Sequence, residues 1–290
     1  MKSKITYLVF VGVLSIIVFQ SCALHDVRTE TLISEGITVE NSDKGKVMLD
    51  RMWKAQGIDK WDQRKVYSFD SNSKWKGTFG RMAKYWPDLE TNLEFRYEVG
   101  SYNGQLKFLD GKREGEIVGM YNSEYYEINN NKTEFKDKEH KSNKRASFAL
   151  VAIQYFTEFI SRIRTAEIIS FAGRESFNEK DYDLVFCTWE KPEAHIEHDQ
   201  YLLWINTATG LVDYVEFTVR EPHIQPPGYK SIGGALELAD YRNIEGVLVP
   251  HSLFLYALKK RADQDKFIHR LKMSNFQFEA FDTNDLKPSR

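Results

Sequence analysis

The chain has 290 residues, of which 42% are hydrophobic and 28% charged, with 17 glycines and 7 prolines. This composition excludes a disordered chain, a collagen-like chain and a polytopic membrane protein, and the length suits one large domain. The formal net charge of −2 provides no overall basic field, so the sequence contains no sign of nucleic-acid binding.

The first 21 residues are typical of a signal peptide. Two lysines precede an apolar run over residues 5–19, and the small Ser21 and then Cys22 follow. This order predicts a bacterial lipoprotein signal, in which lipidated Cys22 anchors the protein to the membrane. The alternatives are an ordinary secretory signal and an uncleaved anchor, but the run is short of the roughly 20 residues that a spanning helix needs. Cys187 would then be a lone thiol in an exported protein without a disulfide.

The predicted mature chain starts with a tether and a helix. Residues 22–42 contain few large apolar residues in any period and predict a tether. A helix is predicted over residues 44–56, with Asp43 as its N-cap and Gly57 as its stop. Beyond it, the period changes to two, which indicates a half-buried strand. The clearest stripe is Leu93, Phe95, Tyr97 and Val99.

Most of the remaining chain is predicted as strands. The predicted ranges are 66–71, 105–109, 116–121, 125–129, 168–171, 182–189, 200–205, 211–220, 236–241, 247–256 and 267–278. Residues 129–131 and the charged run 136–144 are predicted loops, whereas the wide apolar face of residues 148–163 predicts a second helix. Residues 206–210 and 243–246 are hairpin connections. Consecutive strands with short turns predict one antiparallel meander, in a single domain over residues 43–283 with a tail over 284–290.

Several strands are apolar on both faces. Tyr201, Leu203 and Ile205 alternate with Leu202 and Trp204, whereas a sheet exposed on one side should alternate more cleanly. One helix can cover only one concave face, so the other face must meet more sheet, a partner or an apolar ligand. The plainer alternative is a barrel filled by its own side chains.

We expect an apolar ligand cavity on the concave face of the sheet. Its predicted lining is Leu93, Phe95, Tyr97, Val99, Leu211, Val215, Phe217 and Val219, with Trp204 nearby.

Three structural motifs resemble a known group of proteins. They are Gly57 and Trp61 after the first helix, Trp204 and Gly210 in one hairpin, and Tyr241, Arg242, Gly246 and Pro250 in another. Together, over residues 44–282, they resemble uncharacterised Bacteroidetes lipoproteins whose fold is similar to the carriers LolA and LolB. Many of those proteins have His-Gly where Gln56-Gly57 stands here. The resemblance implies a mainly β (α+β) fold, an incomplete antiparallel β-barrel wrapped around helices with a cavity suited to acyl chains, and it supplies no catalytic residue.

The sequence carries few signs of catalytic chemistry. The sequence contains no Walker loop, no G-x-G-x-x-G, no G-x-S-x-G elbow and no H-E-x-x-H helix. A polar cluster over residues 193–199 contains two histidines and could gain His223 and His251 as further metal ligands. Ligand type without geometry is a weak indication, and in a strand residues three apart face opposite sides. We therefore favour a solvated polar loop and predict neither a metal site nor a cofactor.

The members of this polar cluster are Glu193, His195, Glu197, His198 and Asp199. His251 is interpreted as a surface histidine at a strand end rather than a catalytic base, which would need a positioned partner. Residues 226–229, with the glycines at 233–234, indicate a long loop that is either an ordinary connection or a lid over the cavity.

The sequence supports three functional hypotheses. The first is a non-enzymatic lipoprotein that binds a lipid or acyl chain; because no Asp follows Cys22, it resembles lipoproteins of the outer membrane and would face the periplasm. The second is a structural or interaction subunit of an envelope complex, with its apolar sheet face on a protein partner. The third is a metal-dependent envelope hydrolase that uses the histidine cluster.

Overall fold

The computed structural model describes residues 24–225, 229–231, 233–258 and 262–289. The predicted signal peptide and its Cys22 lie outside the described residues. Among the described residues, thirteen strands form one sheet in which every pair of neighbours is antiparallel.

The strands are β1 Val66–Trp75, β2 Glu90–Glu98, β3 Gly104–Phe108, β4 Ile117–Tyr121, β5 Glu124–Asn129, β6 Lys132–Lys136, β7 Ile168–Phe177, β8 Lys180–Thr188, β9 Tyr201–Asn206, β10 Val212–Thr218, β11 Gly233–Ile244, β12 Val247–Tyr256 and β13 His269–Phe278. The α-helices are α1 Glu30–Glu35, α2 Val39–Gln56, α3 Ile58–Trp61, α4 Gly77–Ala83, α5 Lys144–Thr157 and α6 Phe159–Arg162. Short 3-10 helices lie at Gly111–Arg113, Ile163–Thr165, Tyr229–Ser231 and Thr283–Leu286.

The sheet consists of two meanders joined at one long-range pair. Strands β1 to β6 follow one another in space, as do β7 to β13, and β1 pairs with β13 to unite the two arms. The edges β6 and β7 do not pair with each other, so the sheet is not closed. The predicted mainly β fold, an incomplete antiparallel barrel around helices, is confirmed.

The main core lies between the helices and one face of the sheet, which we call the inner face. Met48, Leu49 and Met52 of α2, together with Leu150 and Ile153 of α5, belong to the largest buried apolar cluster. Aromatic residues from seven strands complete it, and they bury the most surface per side chain. The inner face is therefore held mainly by contacts between residues that are distant in the sequence.

Helix α2 begins earlier than predicted. Thr38 is extended, and its hydroxyl accepts a hydrogen bond from the Asn41 amide at 3.1 Å, so Thr38 rather than Asp43 is the N-cap. The predicted stop is confirmed, because Gly57 has a φ of 75° in the left-handed region. A side chain at Gly57 would also collide with the Gly246 carbonyl oxygen, so glycine is required there twice over.

The second predicted helix is interrupted after Thr157. The buried Glu158 accepts hydrogen bonds from the Gln154 side chain at 3.0 Å and the Gly100 amide at 3.1 Å, and it pairs with Arg162 at 2.7 Å. Burial raises the pKa of Glu158, and Arg162 opposes that shift. These partners satisfy the Glu158 carboxylate at the break between α5 and α6.

The described part of the predicted tether is packed against the sheet, so that prediction is wrong for residues 24–42. Helix α1 lies there, Thr29 caps it, and Leu32 is 2% exposed. The Val27 amide donates to the Gln200 side chain at 3.2 Å, and the Thr29 hydroxyl donates to the Ala172 carbonyl at 2.9 Å. Val27 and Leu32 are the buried apolar residues of this segment, and their spacing of five matches neither a helical nor a strand period.

Two smaller predictions also differ from the structure. The sequence missed β6, a charged edge strand, and such polarity is a usual protection of sheet edges. The predicted tail over 284–290 begins as a docked turn, because Leu286 is fully buried and its carbonyl accepts from the Tyr126 hydroxyl at 2.9 Å. The sequence also missed α1 and α4, which are too short to show a period.

Candidate functional site

The first predicted stripe is solid core rather than the wall of a cavity. Leu93, Phe95 and Tyr97 are fully buried, and Val99 packs against the same cluster. The ring of Phe95 lies 5.0 Å from that of Phe69 and 5.7 Å from that of Tyr97, both stacked. The Tyr97 hydroxyl donates to the Leu150 carbonyl of α5 at 3.1 Å. Aromatic rings and helix α5 therefore fill the space that the sequence assigned to a ligand.

The second predicted stripe is only partly on the inner face. Val215 and Phe217 are buried there, Val219 packs beside them, and Phe217 lies 5.0 Å from the ring of Phe156 in α5. The register of β10 shifts between Val212 and Tyr214. Because of this bulge, Val212 joins the core while Leu211 lies before the strand, so the prediction for Leu211 is wrong.

Trp204 lies on the opposite face of the sheet. It belongs to a second apolar cluster with Tyr182, Leu184 and Tyr214, and its indole nitrogen donates to Glu216 at 2.9 Å. Its predicted position beside the inner stripes is therefore wrong, as the alternation of side chains along β9 requires.

The chain itself covers this outer face. Residues 24–37, which we call the N-terminal segment, pack on it. Val27 and Leu32 of this segment belong to the Trp204 cluster, and Ile37 packs against it. The strands that are apolar on both faces thus gain their second layer from residues 24–37. Neither a protein partner nor a ligand is needed to explain them.

Open space lies instead beside helix α5. A groove of about 650 Å³ is lined by Met120, Lys138, Glu139, Lys144, Ser147, Phe148, Val151, Ile196, Arg220, Glu221, Pro222, Gln225, Tyr229 and Lys230. We call it the groove throughout. A second cavity, between α3, α5 and β12, holds only about 20 Å³, close to the volume of one water-sized sphere. Neither cavity is lined by any of the nine predicted residues.

The apolar wall of the groove comes from one side of α5. Phe148 and Val151 are three residues apart, which places them on one stripe of the helix, and both are half-buried. Ala149 and Leu150 face the core instead. The sequence showed an apolar face too wide for one contact surface, but it could not show which stripe stays open.

Arg220 is a buried cation in the groove wall. It is 5% exposed, its Nη1 donates to the Lys230 carbonyl at 3.2 Å, and its Nη2 donates to the His25 carbonyl at 2.8 Å. Burial lowers the pKa of Arg220, while the charges of Asp199 and Asp26 oppose that change. Arg220 thus connects the groove to the N-terminal segment, which no sequence pattern indicated.

The backbone at Arg220 is held by Asp199. One carboxylate oxygen accepts from the Thr218 hydroxyl and from the Arg220 amide, both at 2.9 Å. Burial raises the pKa of Asp199, and these donors oppose the shift. Asp199 therefore has a structural role at the end of β10.

An aromatic contact chain borders the groove. The ring of His223 lies 4.8 Å from Phe148 and 5.0 Å from Tyr85, and its Nε2 donates to the Ala83 carbonyl at 2.8 Å. Burial lowers the pKa of His223 to about 4, so the ring is neutral at pH 7.

The predicted histidine cluster does not converge. His195 pairs with Glu197 at 2.9 Å and His198 with Glu190 at 3.3 Å, and the two imidazole rings are 5.6 Å apart. Glu193 lies beside Arg28 instead, at 3.8 Å. Within the described ranges, no three His, Cys, Asp or Glu side chains are placed to hold a metal ion.

Other residues singled out by the sequence have structural surroundings. His251 is buried within β12, where its Nδ1 lies 2.9 Å from the Val249 carbonyl, so the surface interpretation is wrong. Strand β12 continues through Pro250, which pairs with Tyr241. Cys187 is a buried free thiol, and burial raises its pKa. Of the predicted loop, residues 226–228 lie outside the described residues, while Tyr229 lines the groove.

Comparison with known proteins identifies the fold. No family model matches the sequence, and no curated protein matches it. A DUF1329 family protein from Desulfovibrio piger is similar with a TM-score of 0.50 at 9% identity, over 83% of this chain and 95% of the other. A structure named for an outer membrane lipoprotein-sorting domain, from Vibrio parahaemolyticus, is similar with a TM-score of 0.50 at 12% identity, over 85% and 97%.

A LolA superfamily protein from Nitrosomonas europaea is also similar, with a TM-score of 0.49 at 11% identity, over 84% of this chain and 97% of the other. The fold that the three motifs implied is confirmed, because the Desulfovibrio and Vibrio structures share it over most of their length. Across the part of the chain that the structure describes, no helix is both long and apolar enough to span a bilayer.

Proposed function

We propose that this protein is a non-enzymatic envelope lipoprotein that binds a lipid or acyl chain. In this proposal, lipidated Cys22 anchors it in the outer membrane, facing the periplasm. The groove is the observation that carries the proposal, because about 650 Å³ of space stands open beside an apolar helix wall. Ligand pockets typically enclose roughly 300–1,000 Å³ and combine apolar walls with a few polar groups.

The chemistry of the groove fits an amphiphile. Met120, Phe148 and Val151 provide apolar surface, and lysines and Arg220 provide polar groups in the same groove. Each buried methylene contributes about 0.8 kcal/mol, so several along this wall suffice for micromolar binding after the costs of association. The same fold in a structure named for lipoprotein sorting supports this choice of ligand class.

The two other hypotheses lose the observations that motivated them. The interaction subunit was inferred from an uncovered outer face, which residues 24–37 cover in the structure. The metal-dependent hydrolase was inferred from histidines that pair with separate carboxylates.

The anchor is tested by Cys22→Ala. We expect the variant to retain its signal sequence and to gain no lipid mass, because the thiol that accepts the lipid is missing. Intact mass and membrane fractionation of cells measure both effects. Identical mass and fractionation of variant and wild type would show that Cys22 is not lipidated.

The groove is tested by photo-crosslinking. Full-length protein in phosphatidylcholine vesicles is irradiated with a diazirine-bearing fatty acid, and crosslinked peptides are mapped by mass spectrometry. We expect crosslinks on α5 at Phe148 and Val151, reduced at least tenfold by Val151→Glu, because an unpaired charge in an apolar site is costly to desolvate. Val47→Glu is the control, since Val47 is 58% exposed on α2. Equal yields from both variants would refute the proposal.

A further inference from the structure

Arg220 differs from the other arginines that have a buried Nε. Three arginines have a buried Nε without a hydrogen-bond partner in the described chain: Arg162, Arg220 and Arg270. Arg162 lies 2.7 Å from Glu158, and Arg270 lies 3.8 Å from Glu90. Among the described residues, no carboxylate oxygen lies within 4 Å of the Arg220 guanidinium, whose bonds go to two backbone carbonyls. The hydrogen bonds of this buried cation go only to neutral carbonyls, Asp199 and Asp26 act on it from more than 4 Å, and its Nε has no acceptor, so the guanidinium can still donate to an anion.

The groove around Arg220 carries a surplus of positive charge. Lys138, Lys144 and Lys230 also line it, against the two carboxylates of Glu139 and Glu221. Lys144 pairs with Glu139 at 3.6 Å. Lys138 and Lys230 have no carboxylate within 4 Å in the described part of the chain, so they add to the field at Arg220. Long cationic side chains at the edge of an apolar groove favour a ligand with one anionic end.

The N-terminal segment brings this end of the groove close to the anchor. The His25 amide donates to the Lys230 carbonyl at 3.1 Å, and the His25 carbonyl accepts from Arg220. Cys22 stands three residues before His25, and three Cα steps span at most about 11 Å. A lipid on Cys22 would therefore hold Arg220 near the headgroup layer of the membrane.

We infer that the groove takes a membrane lipid with an anionic phosphate headgroup, bound by Arg220, with its acyl chain along Phe148 and Val151. The inference rests on the proposed function and specifies its ligand. The planar guanidinium suits phosphate oxygens better than an ammonium does. A membrane lipid rather than free phosphate is favoured because the apolar wall is continuous with the cationic end.

The test compares two photoactivatable phospholipids with identical diazirine chains, phosphatidylglycerol and phosphatidylcholine. Full-length protein is irradiated in vesicles that contain one or the other, and crosslinks on α5 are quantified. We expect phosphatidylglycerol to crosslink at least tenfold more strongly. Equal crosslinking of both lipids would overturn the inference while the proposed function survives, and no crosslinking on α5 by either lipid would overturn both. Full competition by millimolar inorganic phosphate would show that free phosphate is the ligand and overturn the inference too.

Substitutions test which residues cause the preference for phosphatidylglycerol over phosphatidylcholine. We expect Arg220→Gln to reduce phosphatidylglycerol crosslinking at least tenfold and Arg220→Lys to reduce it less. Phosphatidylcholine, whose phosphate is balanced by its own ammonium, should lose less than phosphatidylglycerol in both variants. Because Arg220 also holds His25, the Lys138→Gln, Lys230→Gln double variant provides a second test that leaves those bonds in place, and we expect a severalfold loss. Lys112→Gln is the control, since Lys112 is 72% exposed and lies outside the groove. Unchanged selectivity in both the Arg220→Gln and the lysine variants would refute the role of this charge.

Discussion

Helix α5 has two apolar sides, of which one is packed in the core and the other borders the groove. On one side, the rings of Phe69, Phe95 and Tyr97 stack in the core and the Tyr97 hydroxyl binds the helix backbone. On the other side, Phe148 and Val151 border the groove. Both sides arise from equally apolar sequence. The difference shows that a stripe of apolar residues identifies an inner surface but not whether that surface is filled, because the filling residues come from distant parts of the chain.

Truncating one ring on each side of α5 should give the largest difference in stability between the two sides. Phe95→Ala should lower the free energy of unfolding by about 3–5 kcal/mol, because it leaves a cavity among stacked rings that cannot collapse. Phe148→Ala should cost only about 1 kcal/mol, since its ring is half-buried and borders open space. Denaturant unfolding of the two variants measures both values. Equal losses would mean that the two sides of α5 are packed alike.

The outer face extends the comparison, because the structure closes it with the N-terminal segment. Leu32→Ala should cost about 2–4 kcal/mol, as expected for a buried leucine. Its neighbour Ile33 is 57% exposed, so Ile33→Ala should stay within about 0.5 kcal/mol of wild type. A free tether would make the two substitutions equally neutral, and chemical denaturation distinguishes the outcomes.

A buried histidine in β13 tests whether water reaches the packed interior of the protein. His269 stacks on Trp75 at 4.0 Å, its Nε2 lies 2.9 Å from the Ser73 hydroxyl, and burial lowers its pKa to about 3. The folded protein therefore keeps His269 neutral, whereas the unfolded chain takes up a proton below a pKa of about 6.5. Stability is fully present above pH 6.5 and is lost as the pH falls towards 3.

Between pH 6.5 and 4.5, this linkage lowers the free energy of unfolding by about 2 kcal/mol, at 1.36 kcal/mol per pH unit. His269→Phe keeps the stacking and should remove that part of the pH dependence. The exposed His140 provides the control, because His140→Phe should leave the pH profile unchanged. Chemical unfolding at both pH values measures the difference. An unaltered profile in His269→Phe would show that water reaches the ring.

The sequence was sufficient for features that depend on local periodicity. The alternation along β2 and β12, the stop of α2 at Gly57 and the hairpin order all followed from spacing and turn residues. It could not reveal the groove, the bulge in β10 or the docked residues 24–37. The groove and the docked residues 24–37 depend on contacts between residues far apart in the chain, such as Val27 with Gln200 and Arg220 with His25. The bulge is a local register shift against β9 that the apolar alternation does not mark.

The start of α2 provides the smallest and most local test, on the other helix that fills the inner face. Thr38→Ala should cost about 1 kcal/mol, because it removes the hydroxyl that accepts from the Asn41 amide at 3.1 Å. Asp43 lies inside the helix, is exposed and pairs with Lys46 at 3.8 Å, so Asp43→Ala should cost no more than about 0.5 kcal/mol. Thermal and denaturant unfolding of both variants measure the costs. The reverse order would place the helix start at Asp43, and residues 39–42 would then belong to the N-terminal segment rather than to a helix whose Met48, Leu49 and Met52 close the inner face.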